Sequence, residues 1–458
     1  MLNMTNSTAS KVVTRFAPSP TGFLHIGSVR TALFSYLFAR QNGGKFVLRI
    51  EDTDKARGTP EFEKDIMDGI EWLGLKHDEF FRQSERSEIH KKYLQKMIDD
   101  GFAYVSKEEI KKEGDRPEVI RFKNPNRKVA FDDMIRGKIE FDTTELGDFI
   151  IAKSLAEPIF HFAVVADDFD AGITHVIRGE DNLSNTPRQI LIQEAIGAPR
   201  PIYAHLPLIL DEDRAKLSKR KHGEVVWLRF YREQGYLKEA LINFIGMLGW
   251  NPGNDEELIS LEDFIKKFNI EKVQKGGAIF NTEKLKWINR EYIKKMPVTE
   301  LLPIVFTKIP DVAQDVLERA LPSITDHISV FGDIDVLVKN GEFDYLAKDF
   351  ISKSGDFPKE KLFWKGETDP TATITHLQYA LETLKKLPQT PSTTPTAEEI
   401  KTALWDYATE KGRGQVLWPL RYALSGKDKS PDPFILISIL GTATSTERIE
   451  AAIKKLSS

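Results

Sequence analysis

"KVVTRFAPSPTGFLHIGSVRTALFSYLFARQNGGKFVLRI", residues 11–50, carries the signal that decides the fold. "KVVTRFA" is short, β-branched and bounded by prolines, which reads as a strand. From Gly27 the apolar residues Val29, Leu33, Tyr36 and Leu37 recur at helical spacing. Asn42-Gly43-Gly44 ends that helix, because glycine enters left-handed C-terminal geometry without steric cost. "KFVLRIE" is the next strand. Strand, helix, strand predicts a βαβ unit and a parallel pair. The loop through Pro18, Pro20 and Gly22 then joins the end of a parallel strand to a helix N-terminus, where open α/β sheets bind ligands. Such an N-terminus offers free N–H groups and partial positive charge to a phosphate. Gly27 lets a nucleotide approach the backbone, and His25 stands at the mouth as a donor. Alone, "HIGS" is too short to separate this reading from a satisfied surface or core histidine.

The pattern extends outward. Thr59-Pro60 opens a second helix, with threonine as cap and proline at the first helical position, and Phe62, Ile66, Ile70 and Leu73 line one face. Residues 104–138 are charged and weakly periodic and read as an insertion into the sheet domain. Strand-like runs return at "DFIIAKS", "FHFAVVA" and "GITHVIRGE". Thr186-Pro187 starts a helix that ends at Gly197. From about Leu237 helical runs dominate. "LPQTPSTTPT", residues 387–396, reads as a linker, and Thr396 with Glu399 forms a capping-box pattern.

Composition sets limits. The 458 residues allow two to four domains at roughly 100–200 residues each. Without a cysteine there is no disulfide, thiolate zinc site or cysteine nucleophile. The net charge of −4 gives no whole-chain basic field, so a nucleic-acid site needs a local basic face. Residues 1–10 are polar and read as a disordered tail, not a signal peptide. No run of about 18 apolar residues suits a membrane span.

A second signal is "DEDRAKLSKRKHG", residues 211–223, in which six of thirteen residues are Lys, Arg or His. One reading is a solvated basic loop or a nucleic-acid patch. The other is a mobile loop whose Lys216 and Lys219 close over phosphates, flanking Ser218. Lysines so placed stabilise the charge that builds up when a triphosphate is cleaved.

Taken together, His25-Ile26-Gly27-Ser28 and Lys216-Leu217-Ser218-Lys219-Arg220 resemble the HIGH and KMSKS signatures of class I aminoacyl-tRNA synthetases. Within that class the chain resembles the glutamyl-tRNA synthetase family. "TRFAPSPTGFLHIG", "LRIEDTD", "FRQSER", "THVIRGEDNLSNTPRQ", "LSKRKHG" and "VLWPLRYALSG" follow that family's pattern and order over nearly the whole chain. The resemblance implies ATP-dependent activation of L-glutamate and transfer to the 3′ adenosine of tRNA-Glu. It makes His25, Lys216 and Lys219 catalytic, and gives ATP to His25, Gly27, Lys216, Ser218 and Lys219. It gives glutamate to Arg15 (side-chain carboxylate), Arg178 (α-carboxylate), Glu51 (α-ammonium), Ala17, Ser19 and Phe160. Arginine suits this role because its fork pairs with a carboxylate in two parallel hydrogen bonds. Each arginine could instead sit in a surface ion pair, and "EDTD" could equally be an acidic turn or a metal-binding run.

The expected fold is α/β. A Rossmann-like parallel-sheet catalytic domain spans 11–212, with its insertion touching the tRNA acceptor end. A loop and stem-contact domain follows over 213–300. All-α anticodon-binding subdomains are expected over 301–386 and 397–458, around the linker. Mg²⁺ is expected to accompany ATP; no protein metal site and no zinc are expected. A cytoplasmic monomer without a membrane partner is the expected state. Phe160 stands where the family usually has tyrosine, so a phenolic donor is lost unless Phe160 is plain core. The alternatives are an enzyme that also charges tRNA-Gln, one that glutamylates a modified tRNA base, and an inactive tRNA-binding paralogue.

Overall fold

The computed structural model describes residues 11–110, 116–347, 350, 358–387 and 394–458. The tail at 1–10 and linker residues 388–393 lie outside the described residues. The chain forms two compact units, Met1–Ile288 and Asn289–Ser458.

The first unit is built on the expected βαβ start. Strand β1 (Val13–Phe16) and strand β2 (Lys45–Ile50) run parallel, with Arg15 opposite Val47 and Phe16 opposite Leu48. Helix α1 (Ile26–Gln41) crosses between them and is buried on several faces, at Ile26, Val29, Leu33, Phe34 and Leu37. Such a helix must be covered on both sides. Gly44 is needed where the chain re-enters the sheet, because a Cβ there would lie 2.2 Å from the Val12 carbonyl oxygen. Helix α2 (Pro60–Trp72) leads to strand β3 (Glu79–Arg82), parallel to β2. The Thr59 side chain caps α2, accepting from the Phe62 N–H at 3.2 Å.

On its other side β1 meets strand β10 (His175–Gly179), after the insertion. The contact is a short hydrogen-bonded splice. Val13 N–H donates to Thr174 Oγ1 at 2.8 Å, and Thr174 N–H donates to the Val13 carbonyl at 3.0 Å. Strand β11 (Ile202–Leu206) lies parallel beyond β10. The order is therefore β3–β2–β1–β10–β11, and the order reverses between β1 and β10. That switch point opens a crevice at the strands' C-terminal ends.

Two expectations need correction. "FHFAVVA" is not a strand but the first part of helix α4 (Phe160–Asp170). Phe162 to Asp168 are all buried, so the run lacks the periodicity that separates a short buried strand from a buried helix. The insertion is also richer in strands than its weak periodicity implied. Strands β4 (Ala103–Lys107), β5 (Glu118–Phe122), β8 (Phe149–Ser154) and β9 (Glu157–Pro158) form an antiparallel sheet. Strands β6 (Lys128–Asp133) and β7 (Gly137–Asp142) form a hairpin that joins the main sheet where Asp133 pairs with Tyr203. The helix expected at Thr186 is α5 (Thr186–Ile196), ended by Gly197 at φ 75°.

The second unit is helical among the described residues, from Val298–Lys308 to Thr442–Ser457. The capping box of Thr396 and Glu399 opens the helix Ala397–Lys411. Buried Arg448 ties this unit together, donating to the carbonyls of Tyr345 (2.7 Å), Leu424 (2.6 Å) and Ala347 (3.1 Å). No described helix is long and apolar enough to cross a membrane.

Candidate active site

The crevice beside the switch point is an open cleft of about 580 Å³. All of the residues expected to hold ATP or glutamate line it, from Arg15 to Lys219. They fall into two groups.

The first group sits at the strand tips. Arg15, on β1, lies 3.4 Å from Asp168 through its Nε and donates to the Ile177 carbonyl at 3.4 Å. Glu51 follows β2 and accepts from Arg49 at 3.1 Å, while Arg49 also holds Asp168 at 2.6 Å. Arg49 is 1% exposed and bridges two carboxylates through its two terminal nitrogens, so it organises the others. Arg178, on β10, differs. It donates to three neutral groups: Thr186 Oγ1 (2.8 Å), Gln189 Oε1 (2.8 Å) and His205 Nε2 (3.1 Å). Burial lowers its pKa to about 10, so it stays charged at neutral pH. Three of its five N–H donors are used and two remain. Burial pushes the Glu51 carboxyl above its usual value, against the pull of Arg49 and Arg15. A cationic partner beside Glu51 would favour its ionised form.

These five groups are all buried. Three guanidinium groups face two carboxylates, which leaves one net positive charge. Charge left unbalanced in a low-dielectric site is costly until a counter-charge arrives. Asp168 and Arg49 were not identified from the sequence. Their meaning depends on a pairing 119 residues apart, which no local pattern signals.

The loop between β1 and α1 carries Ala17 and Ser19. Its prolines lack N–H groups, but their carbonyls anchor it. Pro18 accepts from Glu51 N–H at 2.9 Å and Pro20 from Thr59 N–H at 3.2 Å. His25 caps α1, its Nδ1 accepting from Gly27 N–H at 2.9 Å. Burial, and then the Lys216 charge, hold its pKa below the usual value. A neutral ring that accepts at Nδ1 carries its proton on Nε2, which makes it a donor. A Cβ on Gly27 would sit 3.3 Å from that Nδ1, so the glycine also gives the ring its place.

The second group closes the other end. Lys216 and Lys219 are exposed, on the loop after strand β12 (Ile209–Leu210). Lys219 Nζ lies 4.9 Å from the centroid of the Trp227 ring, and Trp227 pairs with His25 as an isolated bridge. The "HIGS" and "KLSKR" segments therefore meet across one residue. Asp211 clamps the loop through Lys221 Nζ (2.6 Å), His222 Nε2 (2.8 Å) and Ala215 N–H (2.7 Å). The Lys221 ammonium holds its carboxyl far below the usual range.

Phe160, the first residue of α4, is 41% exposed at the cleft, so it is not plain core. No hydroxyl stands there. Trp418, in the "VLWPLRYALSG" stretch, is half-buried in the second unit. Its Nε1 donates to the Lys361 carbonyl at 2.9 Å, and Arg421 stacks 4.7 Å from its ring.

Comparison with known proteins agrees with this geometry. Residues 11–113 and 105–287 match the family of tRNA synthetases class I (E and Q), catalytic domain. Residues 285–453 match an anticodon binding domain. A glutamate–tRNA ligase of Aquifex aeolicus is 41% identical, over 98% of this chain and all of its own length. One of Carboxydothermus hydrogenoformans is 39% identical, over 95% and 98% of the two chains. A solved glutamate tRNA ligase of Elizabethkingia meningosepticum, in complex with its amino acid, superposes with a TM-score of 0.83 at 34% identity, covering 97% of this chain and all of that one. The chain belongs to the glutamate–tRNA ligase family of class I aminoacyl-tRNA synthetases.

Proposed function

We propose that this ligase selects L-glutamate by charge balance at the strand tips and transfers it to tRNA-Glu. The observation that carries the reading is Arg178, buried with only neutral partners and two N–H donors to spare. Glutamate brings two carboxylates and one ammonium, a net charge of −1, which offsets the excess positive charge of the cluster. Arg178 takes the α-carboxylate, Arg15 the side-chain carboxylate and Glu51 the ammonium, beside Ala17 and Ser19. Glutamine is neutral overall and would leave an arginine unbalanced, the kind of mismatch that polar sites reject strongly.

ATP lies towards His25, Gly27, Ser218, Lys216 and Lys219. An α-carboxylate oxygen attacks the α-phosphorus, forming a new P–O bond as the bond to pyrophosphate breaks. His25 donates through Nε2 and the lysines stabilise the departing phosphates, so catalysis is positioning and electrostatics without a covalent enzyme intermediate. A ribose hydroxyl of the tRNA 3′ adenosine then attacks the acyl carbon, and AMP leaves. The residues proposed to hold ATP, His25, Gly27, Lys216, Ser218 and Lys219, include no carboxylate. Mg²⁺ is therefore assigned to the oxygens of ATP itself, with no protein ligand. The 104–138 insertion contacts the acceptor end, the 213–300 segment the stem, and the helical second unit the anticodon. We read the enzyme as a cytoplasmic monomer.

Charging of purified tRNA-Glu and tRNA-Gln with glutamate tests this. ATP-dependent glutamyl-tRNA-Glu is the expected product. Charging of tRNA-Gln as well would extend the specificity, and charging of neither would overturn the reading.

A further inference from the structure

Arg178 can present its two spare N–H groups to a ligand only if its other three donors find acceptors. Thr186 and Gln189 come from α5. The third acceptor, His205 Nε2, comes from β11 and accepts only in one state, neutral with the proton on Nδ1. That proton faces Asp133 Oδ2 at 2.6 Å. Asp133 is itself fixed, accepting from the backbone N–H groups of Ile135 (3.0 Å), Arg136 (2.9 Å) and His205 (3.1 Å). His205 is 0% exposed and Asp133 is buried too. The other groups against His205 are Thr186 (3.2 Å), the rings of Tyr203 and Phe131 (5.9 and 6.2 Å between centroids) and Arg136, which reaches its carbonyl at 3.4 Å. None of them dictates the tautomer as the carboxylate does.

Asp133 ends β6, in the segment whose hairpin pairs with the main sheet at Tyr203. We propose that Asp133 and His205 are positioning residues for glutamate binding: the insertion hairpin fixes the His205 tautomer, and His205 aims Arg178 into the cleft. The inference rests on the reading that Arg178 grips the substrate. A carboxylate behind an imidazole orients a working group in the same way elsewhere, and removing such a partner costs about 10–100-fold in affinity or activity.

Three substitutions separate this from a structural role. In D133N an amide N–H can face Nδ1 and push the proton to Nε2, donor against donor with Arg178. In H205N the shortened side chain keeps a donor for Asp133 but does not reach Arg178. H205Q instead places an acceptor near the old Nε2. In the full-length enzyme with tRNA present, D133N and H205N should raise the glutamate KM roughly 10–100-fold and leave the ATP KM within about twofold. H205Q should recover most of the loss. Folding is checked by melting temperature, and H205N answers the question if D133N does not fold. R178K is the reference. If R178K leaves the glutamate KM unchanged, the underlying reading fails and this inference with it. If R178K raises it but folded H205N and D133N do not, this inference alone is overturned.

Discussion

The two ends of the cleft, proposed above to take the amino acid and the phosphates, present their cations differently. At the amino-acid end Arg15 and Arg178 are buried on strand tips, in an ion-pair and hydrogen-bond network that spans β1, β2, α4, α5 and β10. At the phosphate end Lys216 and Lys219 are exposed on a loop that is clamped from behind by Asp211. Strand-borne groups cannot move without disturbing a packed sheet, so that end is preorganised to choose. Exposed lysines sit in high dielectric and do little until a triphosphate arrives and water is displaced. Selection is therefore assigned to the buried end, and rate to the exposed one.

Substitutions at the two ends should break that division most visibly. Lys219→Ala should lower kcat for glutamyl-adenylate formation about 10²–10³-fold, while the glutamate KM stays within about twofold, measured by pyrophosphate exchange with tRNA present. A changed KM with an intact kcat would reverse the assignment. Arg15→Lys should do the opposite. It loses the planar fork, and the glutamate KM should rise about 10–100-fold with little change for ATP.

A smaller effect tests the burial of histidines across the first unit. Burial holds His25, His161, His175 and His205 below the free imidazole value of 6.5, His161 down to about 4. Because the folded values are depressed, the unfolded chain takes up protons first as pH falls. The stability gained by keeping these rings neutral is present above about pH 6.5 and is lost progressively below it. The urea midpoint should therefore drop between about pH 7 and pH 5, and a flat profile would contradict it. The smallest expected change is a gain. Phe160→Tyr restores a hydroxyl at the cleft and should lower the glutamate KM about two- to fivefold, worth about 0.5–1 kcal/mol.

The boundary between what could and could not be read in the sequence follows the range of the interactions. Proline, glycine and cap residues act locally, so α1, α2, α5 and the first parallel pair were legible. The β6 strand was also there to be read, since Val129 and Phe131 alternate inward between exposed Lys128, Ala130 and Asp132. The charged residues around it mask that alternation. Helix α4 was lost because continuous burial erases periodicity. The residues that line the cleft were legible through motifs spread along the chain. Their supports were not: Asp168 reaches Arg49 across 119 positions and Asp133 reaches His205 across 72. Only the folded sheet brings those partners together.

The central claim is that one unbalanced buried positive charge picks the substrate. Pyrophosphate exchange with tRNA-Glu present, comparing glutamate with glutamine, tests it directly. A kcat/KM for glutamine at least about a thousandfold below that for glutamate is predicted. Comparable values for the two amino acids would contradict it.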